Sequence, residues 1–180
     1  AQVAAFRVRT RGLAVPGLEH FYWYHTVDLG GGLVTPGDYD FRDQFAAFGF
    51  PDDMTGLRVL DVGSATGHFA FEFARRGAAV TSVELPSLAA WDMVSAERDD
   101  LLRRLQAEHR ADTPEEAYRR HLDGPFRFCR ERLGLRIERC YSSVYDLSPE
   151  KVGGGGFDLV YAGDILMHLF SPFRALDVLS

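Results

Sequence analysis

Two acids and a glycine bend are the residues whose spacing can do chemistry. Asp61 sits near the end of an apolar run, Leu57 to Val62, two positions before Gly63, and Gly67 follows four positions later. Glu84 comes 23 positions after Asp61, near the end of a second β-branched run, Ala79 to Leu85. Glycines lack a Cβ and let the backbone come close to a ligand. The start of the helix that follows offers free N–H groups and a partial positive charge to a carboxylate or phosphate. A carboxylate at the tip of the second strand can accept two hydrogen bonds from the vicinal hydroxyls of a ribose. These residues therefore point to a ribose-bearing cofactor. The loop reads Asp61-x-Gly63-x-Ala65-x-Gly67 rather than G-x-G-x-x-G, which disfavours a nicotinamide-dependent oxidoreductase.

Such a site needs a strand–turn–helix–strand frame, and the sequence supplies one. Leu57 to Val62 reads as a buried parallel strand, and His68 to Arg76 as a helix with Phe69, Phe71, Phe73 and Ala74 apolar and Gly77 at its end. A third strand is expected over Arg136 to Ser143. A fourth, Phe157 to Ala162, follows the four glycines 153–156 and lies beside the first. The expected fold is α/β: a Rossmann-like, doubly wound, mostly parallel sheet with helices on both faces. A helical insertion, about residues 88–135, separates strands 2 and 3. Within it, Ser87 to Arg110 reads as one helix, Thr113-Pro114-Glu115-Glu116 as a capping box, and Pro125 to Leu133 as a helix ending at Gly134. Residues 97–139 hold 11 arginines and 10 acids, which suits a solvated ion-paired face, or else a lid or RNA-contacting insert. Residues 1–52 form an N-terminal cap and cofactor-covering loop. Its aromatic stretch Phe21-Tyr-Trp-Tyr-His25 either packs on the sheet or walls the site, and Asp38 to Phe50 reads as an amphipathic helix. Residues 53–180 form the cofactor-binding unit and close on a helix from Ser171, with Pro172 in its first turn.

Composition narrows the function classes. With 46% hydrophobic residues, the 180-residue chain can bury a core, and no 18-residue apolar run suggests a membrane span. A net charge of −6 argues against broad nucleic-acid binding. Cys129 and Cys140 are too few for a disulfide framework, so a cytoplasmic setting is expected. No Cys/His spacing suggests a metal, and neither a phosphate-binding P-loop nor a nucleophile elbow is present.

The acid before the first glycine, with glycines four apart, resembles motif I of the class I S-adenosylmethionine (SAM) methyltransferases, with Ala65 at the middle glycine. Trp23-Tyr24-His25, the Asp28–Gly37 loop, the glycine motif and Val144-Tyr145-Asp146-Leu147 are similar to a narrower group: the wobble-uridine tRNA (carboxy)methyltransferases and their secondary-metabolism relatives. The resemblance implies SAM as cofactor. It places Thr35, Gly37 and Tyr39 beside the cofactor. Asp61 serves the ammonium group, and Gly63, Ser64, Ala65 and Gly67 line its approach. Glu84, with Leu85, holds the ribose. Val144, Tyr145 and Asp146 flank the adenine, unless Asp146 instead caps the turn after it. The methionine part passes Ala162 and Gly163. The lysine that carboxy-SAM users carry before the first strand is absent, which favours ordinary SAM. Asp164 and His168, four apart, would share a face of a helical turn. There His168 is a base for the acceptor or a structural histidine, and His25 is a second candidate base. Complete class I enzymes have seven strands and four are legible here, so a C-terminally incomplete sheet is expected. The implied activity is methyl transfer to oxygen or nitrogen of a small-molecule acceptor, with tRNA as the alternative acceptor and a non-catalytic SAM-binding module as the third possibility.

Overall fold

The computed structural model describes residues 2–180; Ala1, the first residue of the expected cap, lies outside the described residues. Four strands, β1 (Arg58–Val62), β2 (Ala79–Glu84), β3 (Ile137–Tyr141) and β4 (Leu159–Tyr161), form one parallel sheet in the order β3-β2-β1-β4. Asp61 stands level with Ser82 on one side and Tyr161 on the other, and Glu84 is level with Tyr141. The chain winds outward from β1 to β3, then returns to the other side of β1. That reversal opens a crevice at the carboxyl ends of β1 and β4, the usual place for a ligand in such sheets.

Alternation along the strands assigns the two faces. Val59, Val80 and Ile137 pack with Phe69 and Phe73 of α2 (His68–Arg75) and with Phe126, Phe128 and Cys129 of α5 (Gly124–Leu133). The same cluster takes in the cap through Phe45, Trp23 and Phe6, the last from α1 (Gln2–Arg9). Leu60, Val62 and Val83 face the other way, onto Val144, Val152 and Ala175 of α6 (Pro172–Leu179). The sheet is thus covered on both faces, as an all-parallel sheet requires.

Three expectations about elements need correction. Ser87 to Arg110 is not one helix: a 3₁₀ turn at Leu88–Ala90 is followed by irregular chain, and α3 runs over Ser95–Glu108. The break turns Asp92 towards hydrogen bonds with Tyr145 and the Phe170 amide, which a continuous helix would forgo. Asp38 to Phe50 holds only a 3₁₀ turn at Phe45–Phe48. Its aromatics, Phe41, Phe45, Phe48 and Phe50, instead surround Phe69 and Phe73 of α2 edge-on or tilted. A single helical stripe could not present all four rings in that way. The segment before Pro125 is helical too. The capping box holds, with the Glu116 N–H donating to Thr113 Oγ1 (3.1 Å), and starts α4 (Pro114–Tyr118). A wide π-helical turn, Arg119–Asp123, then joins α4 to α5. Pro125, which has no N–H to give, sits where that widening ends. Leu88, Leu105, Ala117, Tyr118 and Leu122 hold the insert together as a small core of its own.

Candidate functional site

A cleft of about 660 Å³ lies at the carboxyl ends of β1, β2 and β4, roofed by residues 22–25 and flanked by the insert and the loop after β4. Asp61, Gly63, Ser64, Ala65, Glu84 and Leu85 line it on the sheet side, and Val144 and Tyr145 on the β3 side. Gly163, Asp164 and His168 line it beyond β4, and His25 from the cap. Thr35, Gly37, Tyr39, Gly67, Asp146 and Ala162 do not.

The glycine bend is shaped from both sides. Gly63 has φ 73° and its N–H donates to Val83 O at 3.0 Å; a Cβ there would stand 2.1 Å from Ile165 Cγ2. Ala65, at the position where the resemblance expects glycine, also takes a left-handed backbone, φ 47°, a conformation that costs an L-residue about 1–2 kcal/mol. Its N–H donates to Glu84 Oε2 (2.8 Å), while Glu84 Oε1 accepts from the Leu85 N–H (2.9 Å). Both carboxylate oxygens are thereby fixed, and each keeps a further lone pair for a hydroxyl. Gly67 serves packing instead: a Cβ there would meet Phe71 and Phe126 at 2.6 Å.

Asp61 is the electrostatic centre. It is buried, and its Oδ2 meets no hydrogen-bond partner among the described residues. Burial raises its pKa to about 7, with Glu84 adding to the rise and Arg139 opposing it. Spacing gave no sign of Arg139, yet it underlies the whole bend. From the interior of β3 its guanidinium donates to Ser64 Oγ (2.5 Å) and Ser82 Oγ (2.7 Å) and lies 3.9 Å from the centre of the Phe126 ring. The only sequence signal was an arginine inside a predicted strand, which needs a buried partner.

His25 is held as firmly. Its backbone N–H donates to Thr66 Oγ1 (2.9 Å), and its Nδ1 accepts from the His68 N–H at the start of α2 (3.4 Å). Burial, with His68 beside it, lowers its pKa to about 3. Neutral and accepting at Nδ1, the ring carries its proton on Nε2, so it offers a donor rather than a base. The same bond occupies the first amide of α2, so the helix start is less open to an anion than its position suggests.

The remaining expected residues sit as follows. Thr35 is buried and its hydroxyl bridges the Val27 N–H (2.7 Å) and His25 O (2.9 Å). Gly37 packs against the His25 backbone so tightly that a Cβ would lie 2.0 Å from its carbonyl carbon. Tyr39 is exposed and tilts onto Tyr24. These three shape the roof from behind. Asp146 is exposed, and the turn it belongs to is capped by Ser143, whose Oγ accepts from the Tyr145 N–H. Asp164 adopts φ 57° ahead of a 3₁₀ turn at Leu166–His168, so it and His168 share the cleft mouth but not a helical face. Among the described residues no group of three or more His, Cys, Asp or Glu could hold a metal ion.

No protein-family model matches the chain. A 35-residue stretch, 19% of this chain, is 54% identical to magnesium-protoporphyrin O-methyltransferase from Rhodobacter capsulatus and spans 16% of that protein's length. This short match and the parallel sheet fit a methyltransferase fold. No described helix is long and apolar enough to cross a membrane.

Proposed function

We propose that the cleft binds S-adenosylmethionine and that the protein transfers its methyl group to a small-molecule acceptor. The observation that carries the reading is the meeting, in one cleft, of the glycine bend with two carboxylates of different character. Glu84 is fixed at the tip of β2 with lone pairs to spare. Asp61 is buried with an unmatched oxygen, which is a costly arrangement in a protein with no ligand to meet it.

In this reading Glu84 accepts from the ribose hydroxyls, Asp61 takes the ammonium group, and Val144 and Tyr145 pack on the adenine. The cofactor supplies a methyl group already activated on a sulfonium, so the protein needs to orient an acceptor, exclude water and accept a proton. His168, exposed at the cleft mouth, is the base, with Asp164 beside it. His25 contributes a fixed N–H donor. The relative named above is an O-methyltransferase, which favours oxygen as the receiving atom here. The reading also keeps the protein in the cytoplasm, where the cofactor is made.

Isothermal titration with SAM tests it. Saturable binding in the micromolar range is expected, with Glu84→Gln at least tenfold weaker; no heat at millimolar ligand overturns the reading. Transfer of a labelled methyl group to a panel of hydroxylated small molecules then separates an enzyme from a binding module.

A further inference from the structure

The insert presents one more polar group to the cleft, and its proton can be placed by elimination. His109 Nδ1 lies 3.2 Å from the backbone oxygen of His20, and His109 Nε2 lies 2.9 Å from His121 Nδ1. A carbonyl oxygen can only accept, so His109 carries its proton on Nδ1 and its Nε2 is bare. His121 must therefore donate through Nδ1, which leaves the lone pair on its Nε2. Burial keeps both rings neutral at pH 7: it lowers the pKa of His109, and with His109 nearby it lowers that of His121 to about 4. The ring is also held in place. Tyr22 stacks on it at 4.7 Å and 6°, and Trp91 meets it edge-on at 5.9 Å. His121, Tyr22 and Trp91 all line the cleft, and Nε2 of His121 meets no protein donor among the described residues.

We propose that His121 is a fixed hydrogen-bond acceptor for a hydroxyl group of the bound ligand, held in that tautomer by the His20–His109–His121 relay. This rests on the reading of the cleft as a site for SAM and its acceptor. The hydroxyl belongs either to the cofactor's ribose or to the acceptor; the chemistry is the same. The flanking rings of Tyr22 and Trp91 suit a planar, hydroxylated acceptor. A single imidazole lone pair rewards a ligand that has an O–H at this point, because an ether or methyl there leaves the nitrogen buried and unmatched.

Two measurements test this on the intact chain. Long-range ¹H–¹⁵N correlation spectra of the ligand-free protein report which nitrogen of His121 is protonated. Calorimetry with S-adenosylhomocysteine, and separately with catechol, compares wild type with His121→Phe and His121→Gln. Phe keeps the stack on Tyr22 without the lone pair, while the Gln amide oxygen can reach the same point. The expected result is a bare Nε2, and at least a tenfold loss with Phe that Gln largely restores. Loss for the adenosyl ligand assigns the ribose, and loss for catechol assigns the acceptor. If wild type binds catechol but not the adenosyl ligand, and Phe abolishes that binding, the cofactor reading falls and His121 stands. A protonated Nε2, binding of both ligands unchanged by Phe, or binding of neither by wild type overturns the proposal.

Discussion

Asp61 is buried with an unmatched oxygen, and the cost of its charge there sets a testable pH dependence. Its folded pKa, about 7, lies above its ordinary value near 3.8. The folded state therefore holds the proton more tightly than the unfolded chain. The contribution to stability is complete below about pH 4 and is lost as pH rises through 7. Asp61→Asn removes the buried charge and is expected to raise the melting temperature of the free protein at pH 8 by several degrees, an advantage that fades by pH 4 to 5. The same substitution should weaken SAM binding about tenfold or more, since the ammonium group loses its counter-charge. Thermal melts across pH 4–8 check the first half and calorimetry the second; equal melting temperatures at pH 8 would reject it. At this scale the places of Asp61, Gly63 and Glu84 in the cleft were legible, because the turn after a parallel strand favours glycine and the carboxyl ends of such strands face the crevice. Arg139, His109 and His121 were not. Their roles depend on which distant side chain each meets, as Arg139 meets Ser64 and His121 meets His109.

One residue ties the insert to the loops after β3 and β4. Asp92 Oδ2 accepts from the Tyr145 hydroxyl (2.6 Å) and from the Phe170 N–H (2.8 Å), and the Tyr145 oxygen accepts from the Ser171 N–H (3.0 Å). Three segments, after β2, after β3 and after β4, are joined at this point over the cleft. Tyr145→Phe keeps the ring at the cleft wall and removes two of the three bonds. It should cost about 1 kcal/mol of stability and speed ligand release several-fold while leaving the association rate nearly unchanged. Stopped-flow fluorescence reads both rates; an unchanged release rate would show that the tie does not govern exit. This tie also explains why the elements were only partly legible. Three of the strands announce themselves by short apolar or β-branched runs, and all four stand where expected, though shorter at the edges. The breaks in 38–50 and 87–110 arise from contacts made across the fold, which override the local helical pattern.

The whole molecule bears on whether RNA is the acceptor. Net charge is −6, and five of the nine arginines of the insert pair with acids inside it. Arg103 and Arg104 both lie 3.3 Å from Asp100, Arg120 pairs with Glu116 at 2.5 Å, and Arg127 pairs with Asp123 at 2.7 Å. Each exposed pair adds little stability, but together they cancel the field that would draw a phosphate backbone. Arg139 is spent beneath the glycine bend. A protein that neutralised five phosphates would lose affinity with salt at a log–log slope of about −4 to −5. Fluorescence anisotropy with bulk tRNA from 50 to 200 mM salt is expected to show weak binding at the low end, no saturation, and a slope of about −2 or shallower. A steep slope with tight binding at 50 mM would mean that these pairs open to meet phosphates, and the acceptor would then be RNA rather than a small hydroxylated molecule.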